Sequence, residues 1–204
     1  LSKVYMVGNV LIDNIRFLQQ RMQRPAVMDQ EHLEEGKYLL LTLNRKAIVN
    51  NIEEMKKLIS TIDGVARKVG IKVLAPLRGK ALGFVLAFKA YQDVADHQSG
   101  IMVVQPQGYL DFSYLAAHAM GVITDSGNVA EEATFNGVPC ITLNSYTEHL
   151  ETVTVGTNEL VAEDPEKLQL AMEKIAKGEW KKAGIPDRWD GRSAERIVQI
   201  ICGE

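Results

Sequence analysis

Residues 124–132 read Thr-Asp-Ser-Gly-Asn-Val-Ala-Glu-Glu and follow directly on the apolar run Gly121, Val122, Ile123. A strand ending at Asp125, with a helix opening within a residue or two of Ser126, aims the helix's first free N–H groups into the crevice at the strand's carboxyl edge. The positive end of the helix dipole points the same way, and open α/β sheets bind phosphate there. Gly127 then lets the backbone come close to an oxyanion, and Ser126 can cap the helix and donate a hydroxyl. Glu132, farther into the helix, is placed to accept from a ribose hydroxyl while phosphates sit at the helix start. A capped helix with acidic residues in its first turns reads the same way, so the surrounding elements have to separate the two.

Those elements alternate from end to end. Strands are expected over 4–7, 38–43, 72–75, 101–104, 121–124, 140–143 and 159–161, most of them continuous runs of Val, Ile and Leu, as strands buried on both faces should be. Helices are expected near 10–22, 51–69, 79–95, 109–119, 128–135 and 165–177, with Ser193 capping a last one to about 201. In the 51–69 helix, Ile52, Met55, Ile59, Ile62 and Ala66 recur at steps of three and four, forming an apolar stripe. Residues 24–36 read as a polar connection. Regular strand–helix alternation means a doubly wound, mostly parallel α/β sheet of Rossmann-like type.

Composition narrows the class. With 204 residues, 46% hydrophobic and a net charge of -3, the chain suits one sizeable α/β domain, and its slight acidity gives no support for nucleic-acid binding. No apolar run approaches membrane-spanning length and no signal-peptide pattern appears, so a cytoplasmic protein without a membrane partner is expected. Cys140 and Cys202 stand alone and read as reduced core residues. No cofactor is expected: Gly-x-Gly-x-x-Gly follows none of the strands, which argues against NAD. His32, His97 and His118 lack a carboxylate or cysteine at metal spacing, so no metal is expected either. Ser126 has Thr124, not glycine, two residues before it, against an α/β-hydrolase nucleophile. The chain begins at Leu1 and runs straight into an expected strand, as a piece of something longer would.

Five blocks in order carry a family resemblance. They are Gly-Asn-Val-Leu-Ile-Asp at 8–13, Tyr-Leu-Asp-Phe at 109–112, and Thr-Asp-Ser-Gly at 124–127 with the Glu131–Glu132 pair. The others are Gly-Val-Pro-Cys at 137–140 with the Thr-Glu-His-Leu-Glu stretch from 147, and Asp-Gly-Arg-Ser-Ala-Glu-Arg at 190–196. Together they resemble the carboxyl half of the non-hydrolysing UDP-N-acetylglucosamine 2-epimerases. The resemblance implies the second, UDP-binding domain (residues 1–204, with a closing helix over 190–204) of a two-domain enzyme of glycosyltransferase-B architecture. The first domain, with the family's catalytic carboxylates, would lie outside this chain, and the full-length protein would be a homodimer acting on a UDP-sugar. Ser126 and Gly127 would bind the diphosphate and Glu132 the ribose. Phe112 would lie near the uracil, although a Phe on an amphipathic helix also reads as core.

The chain departs from the family pattern at several positions. Asn44 stands where a His precedes Arg45, and Leu77 and Arg78, followed by Gly79 and Lys80, replace a His-Pro pair. Asn128 replaces the second glycine of the phosphate turn, and His149 and Leu150 replace Arg and Pro. Asn44 can hydrogen-bond a phosphate but supplies no charge. Arg78 either compensates as counter-charge to the diphosphate or, with Lys80, forms a solvated helix start. Three functions fit: an epimerase of UDP-N-acetylglucosamine or a related UDP-sugar, a glycosyltransferase of the same fold, and a UDP-sugar-binding module without turnover.

Overall fold

The computed structural model describes residues 4–94 and 98–203. Its centre is a six-stranded parallel sheet: β1 Tyr38–Leu41, β2 Lys72–Pro76, β3 Ile101–Val104, β4 Gly121–Thr124, β5 Cys140–Thr142 and β6 Asn158–Leu160, in the order β3-β2-β1-β4-β5-β6. All four residues of β1 are buried. Alternate side chains point to opposite faces. Leu39 and Leu41 pack with α4 (Ile52–Val69) and α9 (Pro165–Ala176). Tyr38 and Leu40 pack with α2 (Ala26–Gln30), α6 (Tyr109–Ala117) and α7 (Gly127–Phe135). Helices thus cover both faces, as the continuous apolar strands require.

The chain winds outward from β1 to β2 and β3, then returns to lay β4 against the other side of β1. The β1/β4 gap is therefore the topological switch point, and ligands of open α/β sheets bind outside the carboxyl ends of the strands there.

The structure corrects several sequence expectations. Residues 4–7 form no strand: Val4 and Met6 are exposed, and the carbonyls of Met6 and Val7 accept from the guanidiniums of Arg188 and Arg196. Arginine side chains thus take the place of a neighbouring strand. Helix α1 (Val10–Gln19) stops three residues short of 22, and the 24–36 connection contains α2. Short α3 (Lys46–Val49) and α8 (Leu150–Thr154) form where no helix is expected from the sequence. In α4 the buried stripe is Met55, Leu58, Ile59, Ile62 and Ala66, while Ile52 is exposed in the first turn. The expected 79–95 helix is α5 (Gly79–Val94); its last expected residue, like His97, lies outside the described residues.

Ser193 does not cap the last helix. It is the first residue of α10 (Ser193–Cys202), and its buried hydroxyl has no hydrogen-bond partner among the described residues. Asp13, on α1, accepts instead from the N–H groups of Ser193 and Ala194 at 3.0 and 2.7 Å. Gly8 packs into the same junction with φ 103°; a Cβ there would lie 2.3 Å from the Arg188 carbonyl oxygen. The two ends of the chain are thereby locked together. Cys140 is buried in β5, where burial pushes its thiol up to about 12, and Cys202 is exposed.

Candidate nucleotide site at the switch point

Ser126 follows β4 and stands at the N-cap position of α7 with an extended backbone. Its hydroxyl makes no capping bond, contrary to the sequence expectation; its N–H donates to Thr124 Oγ1 at 3.0 Å. The first backbone bond of the helix runs from Ala130 N–H to Ser126 O. The N–H groups of Gly127, Asn128 and Val129 accordingly have no partner among the described residues, as at any uncapped helix start. Gly127 does not adopt a positive φ, so glycine is not required there by dihedral strain. Its missing side chain leaves the turn open beside His149, whose Cδ2 a Cβ would meet at 3.5 Å. Asn128 is exposed in the first turn.

Across the switch point, the Asp125 carboxylate accepts from the N–H groups of Asn44 and Arg45 at 2.7 and 2.6 Å. This ties the loop after β1 to the end of β4. Next to the tie lies a crevice of about 300 Å³ lined by Asn44, Arg78, Gln107, Tyr109, Phe112 and Ser126, among others. Four of the residues singled out in the sequence therefore meet in one hollow: Asn44, Arg78, Phe112 and Ser126. Phe112 serves both readings given to it, because it lines the crevice and packs on the core beneath α6 and α7. Arg78 is exposed, and its Nε donates to Asn44 Oδ1 at 3.2 Å. Lys80 turns instead to Asn50 Oδ1, 2.7 Å away.

Arg45 is not among the crevice residues. Its guanidinium donates to Asn144 Oδ1 at 2.8 Å and to the Tyr146 hydroxyl at 3.2 Å, and it lies over the Tyr146 ring. Glu132 is buried in the second turn of α7 and accepts from Ser113 Oγ at 3.3 Å. Burial is the main cause that holds its carboxyl above the usual range; the Ser113 bond opposes and the Glu131 charge adds. Burial, then the charge of Glu132, also raises the phenol of Tyr109, which does line the crevice. His149 stands at the N-cap position of α8, with Nδ1 3.1 Å from Glu131 Oε1. His118 is stacked on Tyr114.

A sequence model described as UDP-N-acetylglucosamine 2-epimerase matches residues 1–202. The chain belongs to that family. It is 31% identical over 209 residues to the UDP-N-acetylglucosamine 2-epimerase of Methanococcus maripaludis, covering 100% of this chain and 56% of that protein. It is 31% identical over 160 residues to the UDP-2,3-diacetamido-2,3-dideoxy-D-glucuronate 2-epimerase of Pseudomonas aeruginosa, over 78% of this chain and 42% of that one. Among solved structures, the UDP-GlcNAc 2-epimerase of Methanocaldococcus jannaschii in complex with UDP-GlcNAc and UDP superposes with a TM-score of 0.80. The identity there is 31%, over 99% of this chain and 55% of that chain. The chain thus spans about half the length of the epimerases it matches.

Three residues that the sequence gave no role shape the site: Asp125, which pins the Asn44 loop; Tyr109, which lines the crevice; and Asn144, which holds Arg45. Asp125 was visible as a strand-end acid. Its reach to Asn44 depends on β1 and β4 being neighbours, which no local pattern encodes. Among the described residues no helix is long and apolar enough to cross a membrane.

Proposed function

We propose that this chain is the UDP-binding half of a UDP-N-acetylglucosamine 2-epimerase-like isomerase with glycosyltransferase-B architecture. The observation that carries the reading is the set of three N–H groups, Gly127 to Val129, without a partner among the described residues, at the switch point of a chain in the epimerase family. In this account the diphosphate sits at Ser126, Gly127 and Asn128, with Arg78 and Asn44 on one side and His149 on the other. The uracil lies toward Phe112, and Glu132 receives the ribose hydroxyls. Arg45 acts from behind the β1 loop, fixing its shape through Asn144 and Tyr146.

The whole enzyme would invert C2 of the sugar by removing its proton, expelling UDP and returning it to the unsaturated sugar. The role of this half is to hold UDP through that cycle. Preorganised N–H groups meet the negative charge that grows on the leaving diphosphate, and they cost no reorganisation when it appears. The carboxylates that act at C2 belong, in this reading, to a first domain, and the full-length protein is a cytoplasmic homodimer. The sugar is UDP-GlcNAc or a relative of it; the Pseudomonas aeruginosa epimerase, named for a diacetamido uronate, keeps the second open.

Calorimetric titration of UDP against the protein and Glu132→Ala, with uridine as control, tests the site. Binding of both ligands that weakens in the variant supports it. UDP binding unchanged by Glu132→Ala removes Glu132 from the ribose role.

A further inference from the structure

Tyr109, Phe112 and Ser126 line the crevice at the switch point, whereas Glu132 is not among its residues. The packing of α6 on α7 gives the reason. Tyr109 and Ser113 stand one turn apart on α6, as Val129 and Glu132 do on α7, and residues so spaced share a helix face. The outer pair, Tyr109 and Val129, borders the crevice. The inner pair is Ser113 and Glu132, 2% and 5% exposed, with Ser113 Oγ donating to Glu132 Oε2 at 3.3 Å. A sugar that reaches Glu132 from the crevice therefore meets the exposed Tyr109 at the layer before it.

The two side chains offer opposite hydrogen-bonding groups. A carboxylate accepts at both oxygens, so Glu132 keeps acceptor capacity beyond its bond from Ser113. The Tyr109 oxygen accepts from Asn14 Nδ2, on α1, at 3.5 Å, and the phenol keeps its own O–H as a donor. Burial and then the charge of Glu132 raise that phenol, in keeping with a carboxylate close beside it. An acceptor next to a donor suits a vicinal diol. One hydroxyl donates to the carboxylate while its neighbour accepts from the phenol.

We propose that Tyr109 is a specificity-determining residue of the nucleotide site: its hydroxyl donates to one hydroxyl of the ribose diol while Glu132 accepts from the other, so that the site takes ribonucleotides over deoxynucleotides. This rests on the reading that a uridine diphosphate group occupies the crevice. A sugar that lacks either hydroxyl leaves Tyr109 or Glu132 without its partner, and a site built to hydrogen-bond a hydroxyl rejects the analogue without it. The preference separates uridine diphosphate sugars from their 2′-deoxythymidine counterparts at the ribose, whatever the base contacts contribute.

The test titrates UDP, 2′-deoxy-UDP and 3′-deoxy-UDP against the parent protein and Tyr109→Phe, which keeps the ring and removes only the hydroxyl. The parent, which needs no variant to fold, should bind UDP more tightly than either deoxynucleotide by about three- to tenfold, the worth of one hydrogen bond. Tyr109→Phe should weaken UDP by a similar factor and leave at least one deoxynucleotide unchanged, the one lacking the hydroxyl that Tyr109 meets. A loss of contact that is merely structural would weaken all three alike. A parent without preference, a Tyr109→Phe variant that binds UDP as the parent does, or an equal loss for all three nucleotides overturns the proposal while leaving the UDP site standing. If none of the three binds the parent, the UDP-site reading fails and this one with it.

Discussion

The Nε of Arg78 donates to the side-chain oxygen of Asn44 at 3.2 Å. At both positions the resemblance implies a departure from the family's pattern, and they lie 34 residues apart. They meet because β1 and β2 are neighbours, each ending at the same crevice. Asn44 brings a polar group and Arg78 a cation to the same edge of the crevice, the charge arriving from the next strand.

If Arg78 is the counter-charge to the diphosphate, Arg78→Ala should weaken UDP far more than uridine. A charge-assisted bond contributes about 1.5–3 kcal/mol, roughly ten- to hundredfold in affinity. Added salt should then erode UDP binding in the parent more than in the variant. Asn44→His should add little. Titrations in which Arg78→Ala is silent and Asn44→His tightens UDP would instead mark a site with its charge uncompensated.

Glu132 stores a cost that pH should reveal. An acid with a raised pKa in the folded state binds more protons there than in the unfolded chain. Stability is then unaffected below the ordinary value of 4.5 and declines as pH rises from there through the folded value. Glu132→Gln should therefore raise the thermal midpoint at pH 7 more than at pH 4. A midpoint shift equal at both pH values would contradict the sign.

The junction of the chain ends predicts an inversion of what the last helix displays in sequence. Asp13→Ala removes the acceptor for two N–H groups and should cost about 1 kcal/mol, while Ser193→Ala removes an unpartnered hydroxyl and should cost little. Urea unfolding of the two variants gives the comparison, and amide exchange at Ser193 and Ala194 should quicken in the first alone.

Gly8→Ala places a Cβ against the Arg188 carbonyl at a φ of 103°. Strain of this kind costs of order 1–3 kcal/mol, so the variant should unfold at lower urea. An unchanged midpoint would mean that the junction is looser than its geometry.

What could be read in the sequence was whatever a local pattern encodes. β1, β2 and β4 announce themselves as apolar runs because both faces of each are covered, and the stripe on α4 follows from its period. Helices α2, α3 and α8, of four or five residues, are shorter than the window in which a period can be recognised. Val4 to Val7 has the composition of a strand and lacks only a neighbour. The start of α7 was legible because strand end, Ser126 and Gly127 are contiguous. The tie from Asp125 to Asn44, the Arg78 bond and the Glu131–His149 pair were not, since each depends on strand order or on a helix packed from elsewhere in the chain.

Amide spectra of the protein titrated with UDP test directly whether the first turn of α7 holds the diphosphate. The largest shifts should fall at the N–H groups of Gly127, Asn128 and Val129, with smaller ones at Asn44 and Phe112, and uridine should reproduce the Phe112 change without those at 127–129. UDP shifts confined to other surfaces, or equal shifts at 127–129 with uridine and with UDP, would contradict it.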